Sequence, residues 1–236
     1  MTPATASGAR QHEVRRGIFI TGTDTGVGKT WVGSRLAALW QAQGLPVAPR
    51  KPAESGCAPG PDGLLPADAQ QYHKAIGGRG RLADICPYRF AAPLAPDQAA
   101  ARAGRTLHLA ELVAACAVPA GHFAVVEGAG GFCSPLATDG LNADLAAALG
   151  LPVLLVAADR LGAQNHVLLT AEAVARRGLS LAAVVLNALQ PPGPDAPDNA
   201  GALRRWLPGV PLFACPHDAP PAALAALATA LAGTRA

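Results

Sequence analysis

Apolar residues in this chain gather into short unbroken runs rather than strict alternations. "GIFITG" (17–22), "PVAPRKP" (46–52), "HFAVVEG" (122–128), "PVLLVAA" (152–158), "LAAVVLNAL" (181–189) and "GVPLFAC" (209–215) read as strands. A run that is apolar at nearly every position belongs to a strand covered on both faces. Between the runs lie alanine- and leucine-rich stretches with helical spacing, at 29–44, at 165–178 and in a closing segment over 219–233. The alternation predicts an α/β fold: a doubly wound, mostly parallel sheet with helices on both faces. The segment 53–121 is less regular, with Gly/Pro-rich stretches at 56–66 and 91–97. It is expected to form loops and helices over the carboxyl ends of the strands, where such sheets bind their ligands. No internal repeat and no domain linker is evident, and the Pro-rich 190–199 reads as an excursion at a strand end. The expected organisation is a flexible arm over 1–14 and a single domain over 15–236.

Composition narrows the partners. Half of the residues are hydrophobic and 15% are charged, which favours a packed core over disorder. A net charge of +3, with no dense Lys/Arg run, offers no nucleic-acid groove. No apolar stretch reaches membrane-spanning length without interruption, and the N-terminal arm lacks a signal-peptide core. A soluble, cytoplasmic protein with no membrane partner is expected. The cysteines, at 57, 86, 116, 133 and 215, are odd in number and contain no Cys-x-x-Cys pair. Neither a disulfide framework nor a zinc site is indicated, and buried or semi-buried thiols are expected.

Candidate chemistry collects at the strand ends. "GTDTGVGKT" (22–30) follows the first strand and opens the first helix, the context that a phosphate-binding loop requires, so the expected fold is P-loop NTPase-like. Its first glycine stands one residue early, with Thr23 in the standard position, but Gly28-Lys29-Thr30 carries the phosphate contacts. Lys29 would reach the β/γ-phosphates and the Thr30 hydroxyl would bind Mg²⁺. In "RKPAESG" (50–56), Lys51 is either a solvated strand-end lysine or a second cation facing the transferred phosphoryl group. Asp68, near the start of an expected helix, either stabilises that helix end or folds back as a metal ligand. In "VVEGAGG" (125–131), a carboxylate closing a buried strand resembles the metal-polarising acid of phosphate-loop enzymes, with a turn or capping role as the alternative for Glu127. "DRLGAQNH" (159–166) either offers helix-start N–H groups to a carboxylate or is a polar loop with Gln164 or Asn165 as the helix cap. Asn187, at another strand end, could read an adenine edge.

Taken together, "GTDTGVGKT", "KPAESG", "VEGAGGFCSPL" and "LGAQNHVLLT" resemble the ATP-dependent dethiobiotin synthetase family over about residues 17–216. The resemblance implies closure of a ureido ring on a diamino acid, 7,8-diaminopelargonate, with CO₂, Mg²⁺ as cofactor and ATP as co-substrate. It implies that Thr25, Gly26, Val27, Gly28, Lys29, Thr30 and Trp31 wrap the triphosphate. Thr30, Asp68 and Glu127 would gather Mg²⁺, and Lys51 with Lys29 would be catalytic. Ser55, Gly128 and Ala129 would meet the substrate, whose carboxylate would enter the 161–166 turn (Gly162, Ala163, Asn165) across a homodimer interface. Asn187, Pro216 and His217 would hold the adenine. The chain departs from the family pattern at Glu54, which stands where a small residue is usual and would repel a carbamate unless it points away. Partitioning-type switch ATPases share the loop but carry a signature lysine where this chain has Asp24.

Overall fold

The computed structural model describes residues 16–234, so the arm expected over 1–14 lies outside the described residues. Six strands build the central sheet: β1 (Gly17–Gly22), β2 (Val47–Arg50), β3 (Phe123–Gly131), β4 (Val153–Ala158), β5 (Leu181–Asn187) and β6 (Leu212–Cys215). Their order is β6-β5-β4-β1-β3-β2, and every neighbouring pair is parallel. The winding reverses around β1, since the chain first visits β2 and β3 on one side and then β4, β5 and β6 on the other. Ligands of open α/β sheets sit above such a reversal, at the carboxyl ends of the strands.

The unbroken apolar runs have the cause that the pattern suggested. Along β1, Ile18 and Ile20 face one layer while Phe19 faces the other. The first layer holds α1 (Lys29–Ala42), α2 (Ala67–Ala75) and, after β6, a closing helix. The second holds α3 (Asn142–Leu149) and α4 (Ala163–Arg176), with Leu145 of α3 and Val167 of α4 fully buried.

Among the boundaries that differ from the sequence reading, three bear on the site or the closing layer. β3 runs on to Gly131 because, after a register shift, that glycine still pairs with Gly22 of β1. Glycines carry no strand-forming side chain, so no apolar pattern marks that extension. The closing segment opens as a 3₁₀ turn (Pro221–Leu224) before α5 (Ala225–Leu231), with Pro221 at its first position, where a helix needs no N–H. The expected helix at 165 begins two residues earlier, at Ala163. Within 53–121 the expected helices are present, together with a hairpin (Ala58–Gly60 with Gly63–Leu65) and a two-residue pairing of Ala53–Glu54 with Tyr88–Arg89.

Trp40 locks the first layer to the sheet. It is fully buried, its ring centroid lies 4.9 Å from that of Phe123, and its Nε1 donates to the Ala228 carbonyl at 2.9 Å. One side chain thereby joins α1, β3 and α5. Trp40→Ala is expected to destabilise the fold by about 3–5 kcal/mol, read from urea denaturation. Trp40→Phe should lose less, because only the hydrogen bond and part of the ring are removed.

Candidate active site

β1 ends at Gly22, and the loop that follows folds tightly before α1 begins. Gly28 has φ 94°, a left-handed conformation, and a Cβ there would stand 2.2 Å from Asn187 Nδ2. Only glycine fits both conditions. Asn187, at the end of β5, donates from that nitrogen to the Val27 carbonyl at 3.0 Å and so supports the loop from beneath. Lys29 curls back to donate to the Asp24 carbonyl at 2.9 Å. The first turn of α1 has no side-chain cap, which leaves its N–H groups for an anion.

A charged cluster sits beside this loop. Lys51 follows β2 directly, and its N–H is anchored on the Ile85 carbonyl at 2.8 Å. Its ammonium donates to Asp68 Oδ2 at 2.7 Å and to Glu127 Oε1. Thr30 Oγ1 donates to the same Glu127 oxygen at 2.9 Å, and the Tyr72 hydroxyl donates to Glu127 Oε2 at 2.7 Å. Asp68 and Tyr72 are four residues apart on α2, hence on one face of it. Glycine at position 33 of α1 leaves room for the phenol, since a Cβ there would lie 1.9 Å from the hydroxyl oxygen.

Burial and charge act against each other here. Burial lowers Lys29 to about 8, helped by the neighbouring Lys51 ammonium. Burial would also disfavour the charge on Lys51, but the Glu127 and Asp68 carboxylates outweigh it and push its pKa up. Asp68 is held below the usual carboxylate range because Lys51 outweighs its own burial. Burial and then Glu127 push Tyr72 well up, so it stays a neutral donor. Glu54 borders the space over the cluster, but its carboxylate is engaged by the start of α2. Its two oxygens accept from the N–H groups of Asp68 (2.9 Å) and Ala69 (3.1 Å), capping α2 where Pro66 supplies no side-chain cap. Burial raises its pKa against the pull of those N–H groups.

A cavity of ≈480 Å³ opens over the loop and the cluster. Thr25, Gly26, Gly28, Lys29, Thr30, Trp31, Lys51, Ser55, Asp68 and Ala129 all border it. Val27, Gly128 and Glu127 are buried and do not. The 160–166 turn lies on the other flank of the loop, where Arg160 and His166 border a smaller cavity of ≈90 Å³ with Asp24, Thr25 and Gly26. Gly162 caps α4 in a left-handed conformation, so neither Gln164 nor Asn165 is the cap; Gln164 donates to Asn199 Oδ1 at 3.1 Å instead. Pro216 and His217 follow β6, beside β5, and do not border the phosphate cavity.

Two residues here escaped sequence reading. Tyr72 belongs to no motif, its only signal being the four-residue offset from Asp68. Asn142 opens α3 and is almost fully buried. Its Oδ1 accepts from the Ala129 N–H at 2.9 Å, and its Nδ2 faces the carbonyls of Ala129 (2.6 Å), Gly131 (3.2 Å) and Ser134 (3.2 Å). It stitches the "EGAGG" backbone from behind. One cysteine also departs from expectation: Cys133, just past this segment, is exposed, whereas the other four are buried. Among the described residues no group of three His, Cys, Asp or Glu side chains could hold a metal ion. Any cation must therefore share a hydroxyl or a ligand's own oxygens.

A family model described as an AAA domain matches residues 16–216. The ATP-dependent dethiobiotin synthetase BioD of Anaeromyxobacter dehalogenans (strain 2CP-C) is 50% identical over 206 residues, covering 86% of this chain and 91% of that protein. The protein of the same name from Ralstonia nicotianae is 41% identical over 196 residues, covering 82% and 86%. That from Xanthomonas oryzae pv. oryzae is 40% identical over 192 residues, covering 80% and 86%.

Tyr72→Phe strands Glu127 Oε2 without a donor in a buried setting and should cost about 1–3 kcal/mol of stability in urea denaturation. Burial raises the pKa of Cys57, Cys86 and Cys215 and pushes Cys116 up to about 12. The native protein should therefore take up one equivalent of iodoacetamide at neutral pH, mapped to Cys133, and five once unfolded.

Proposed function

Since the chain belongs to the ATP-dependent dethiobiotin synthetase family, we propose that it closes the ureido ring of dethiobiotin on 7,8-diaminopelargonate, consuming CO₂ and ATP, as a step of biotin biosynthesis. The observation that carries this reading to the residues is the convergence of a phosphate loop and the strand-end lysine Lys51 on one cavity. In the reaction, one substrate amine attacks CO₂ and loses a proton, giving a carbamate. A carbamate oxygen attacks the γ-phosphorus and ADP departs. The second amine then attacks the carbonyl carbon of the mixed anhydride and loses a proton, phosphate departs, and the ring is closed.

This chemistry depends on positioning and on fixed cations where negative charge accumulates. In our reading the backbone from Thr25 to Trp31 wraps the triphosphate and Lys29 meets its β/γ end. Lys51 neutralises the carbamate and the phosphoryl group in flight, while Ser55 and the Gly128–Ala129 backbone orient the diamine. Asn187 serves the nucleotide by holding the loop through Val27, with Pro216 and His217 beside it toward the base. Thr30, Asp68 and Glu127 would hold Mg²⁺, and their donor set fits: all are oxygens, and two carboxylates with a hydroxyl suffice for an ion that shares phosphate oxygens and keeps waters. Bound there, Mg²⁺ would neutralise charge on the β- and γ-phosphate oxygens.

We further propose a homodimer in which the substrate carboxylate is received by the start of α4, which has no side-chain cap, at Gly162, Ala163 and Asn165. Supporting it, Leu161 just before α4 and Leu169 on it are 84% and 59% exposed, an apolar surface that a second copy would cover. The working compartment in this reading is the cytoplasm, and no helix among the described residues is long and apolar enough to cross a membrane.

Purified protein given ATP, Mg²⁺ and bicarbonate should release phosphate only when the diamine is added, with a product heavier than the diamine by CO₂ less water. Phosphate release indifferent to the diamine would overturn the assignment. Lys29→Ala should lower turnover by about 10²-fold or more, the scale of one lost electrostatic contact to the transition state.

A further inference from the structure

The catalytic lysine and the metal carboxylates are not merely neighbours. Lys51 donates to both carboxylates assigned to the metal, Asp68 Oδ2 at 2.7 Å and Glu127 Oε1. The third assigned ligand, Thr30, donates to that same Glu127 oxygen at 2.9 Å. The other oxygen of Glu127 is taken by Tyr72 on the side away from the cavity. Glu127 is 0% exposed, whereas Thr30, Lys51 and Asp68 border the cavity. A cation arriving from the cavity therefore reaches Glu127 through the oxygen that the Lys51 ammonium already holds.

We propose that Lys51 is the resident counter-ion of the divalent-cation site, and that Mg²⁺ binds by taking over the Lys51 partners on Asp68 and Glu127, which releases the lysine to the anion being phosphorylated. This rests on the functional reading given above.

Charge bookkeeping decides when the exchange is favourable. The cluster holds two ammonium groups, Lys29 and Lys51, against two carboxylates. Bringing in a dication without an anion would crowd four positive charges onto two negative ones and leave the buried Lys51 without a partner, which is costly. A triphosphate or carbamate in the cavity supplies the new partner for Lys51 and removes that penalty. Divalent ion and anionic ligand should thus enter together, and the lysine is delivered to the acceptor only when both are present.

The test uses the full chain and Mn²⁺ as probe, with free Mn²⁺ read by its electron paramagnetic resonance signal. Without nucleotide, Lys51→Met should bind Mn²⁺ at least about tenfold more tightly than the unaltered protein, because the competing cation is gone. The double variant Lys51→Met/Glu127→Gln should lose that gain. Equal or weaker Mn²⁺ binding by folded Lys51→Met would overturn the exchange. A second measurement needs no variant that could misfold. Side-chain NMR of the Lys51 ammonium is followed while Mg²⁺ and adenylyl imidodiphosphate are titrated together. Loss of the resonance position set by the carboxylates supports the exchange. An unmoved resonance at saturating nucleotide overturns it while leaving the phosphate-loop reading intact. Failure of the nucleotide to bind at all would remove both.

Discussion

A carboxylate with no access to water, midway along β3 and beside β1, organises this molecule. Glu127 lies in the interior, where an isolated charge is not tolerated. Three separate elements compensate it. Lys51 comes from the end of β2, Thr30 from the first turn of α1 and Tyr72 from α2. The relative placement of sheet, first helix and covering helix is thereby written into the partners of one side chain. Removing any partner would leave a buried oxygen short of a donor, so the site and the fold share the same constraint.

The sheet was legible because its strands are apolar on both faces, and a chain has few other ways to use six such runs. Their order was not. Nothing in the runs distinguishes a strand that pairs beside β1 from one two places away, since pairing is decided by crossovers and packing between distant residues. The phosphate loop was legible because its chemistry is local: glycine, lysine and threonine act within one turn. Lys51, Asp68 and Glu127 could be picked out one by one at strand or helix ends, but their meeting at a single nitrogen spans 76 residues of chain and has no local signal. Which way Glu54 turns was open in the sequence for the same reason. The N–H groups that it satisfies belong to a helix that begins thirteen residues later.

Tyr72 and Asn142 show the limit of reading residue types. A tyrosine at a helical core position and an asparagine opening a helix have ordinary explanations, and only the contact partner separates those from a role in the site. Both touch the glycine-rich end of β3 or the acid just before it, which explains why that segment can be built from residues with almost no side chains. The side chains that shape it come from elsewhere.

The hydrogen bonds that Asn142 and Asn187 make to the two loops have a thermodynamic consequence. Glycine-rich backbone is the most disordered of all when unfolded, and loops that become ordered only around a ligand subtract that ordering from affinity. Here each loop is fastened from beneath by an amide side chain that belongs to the folded scaffold. The loss of conformational freedom is settled when the chain folds, so almost none of it is charged against capture of the small molecules that the two loops surround.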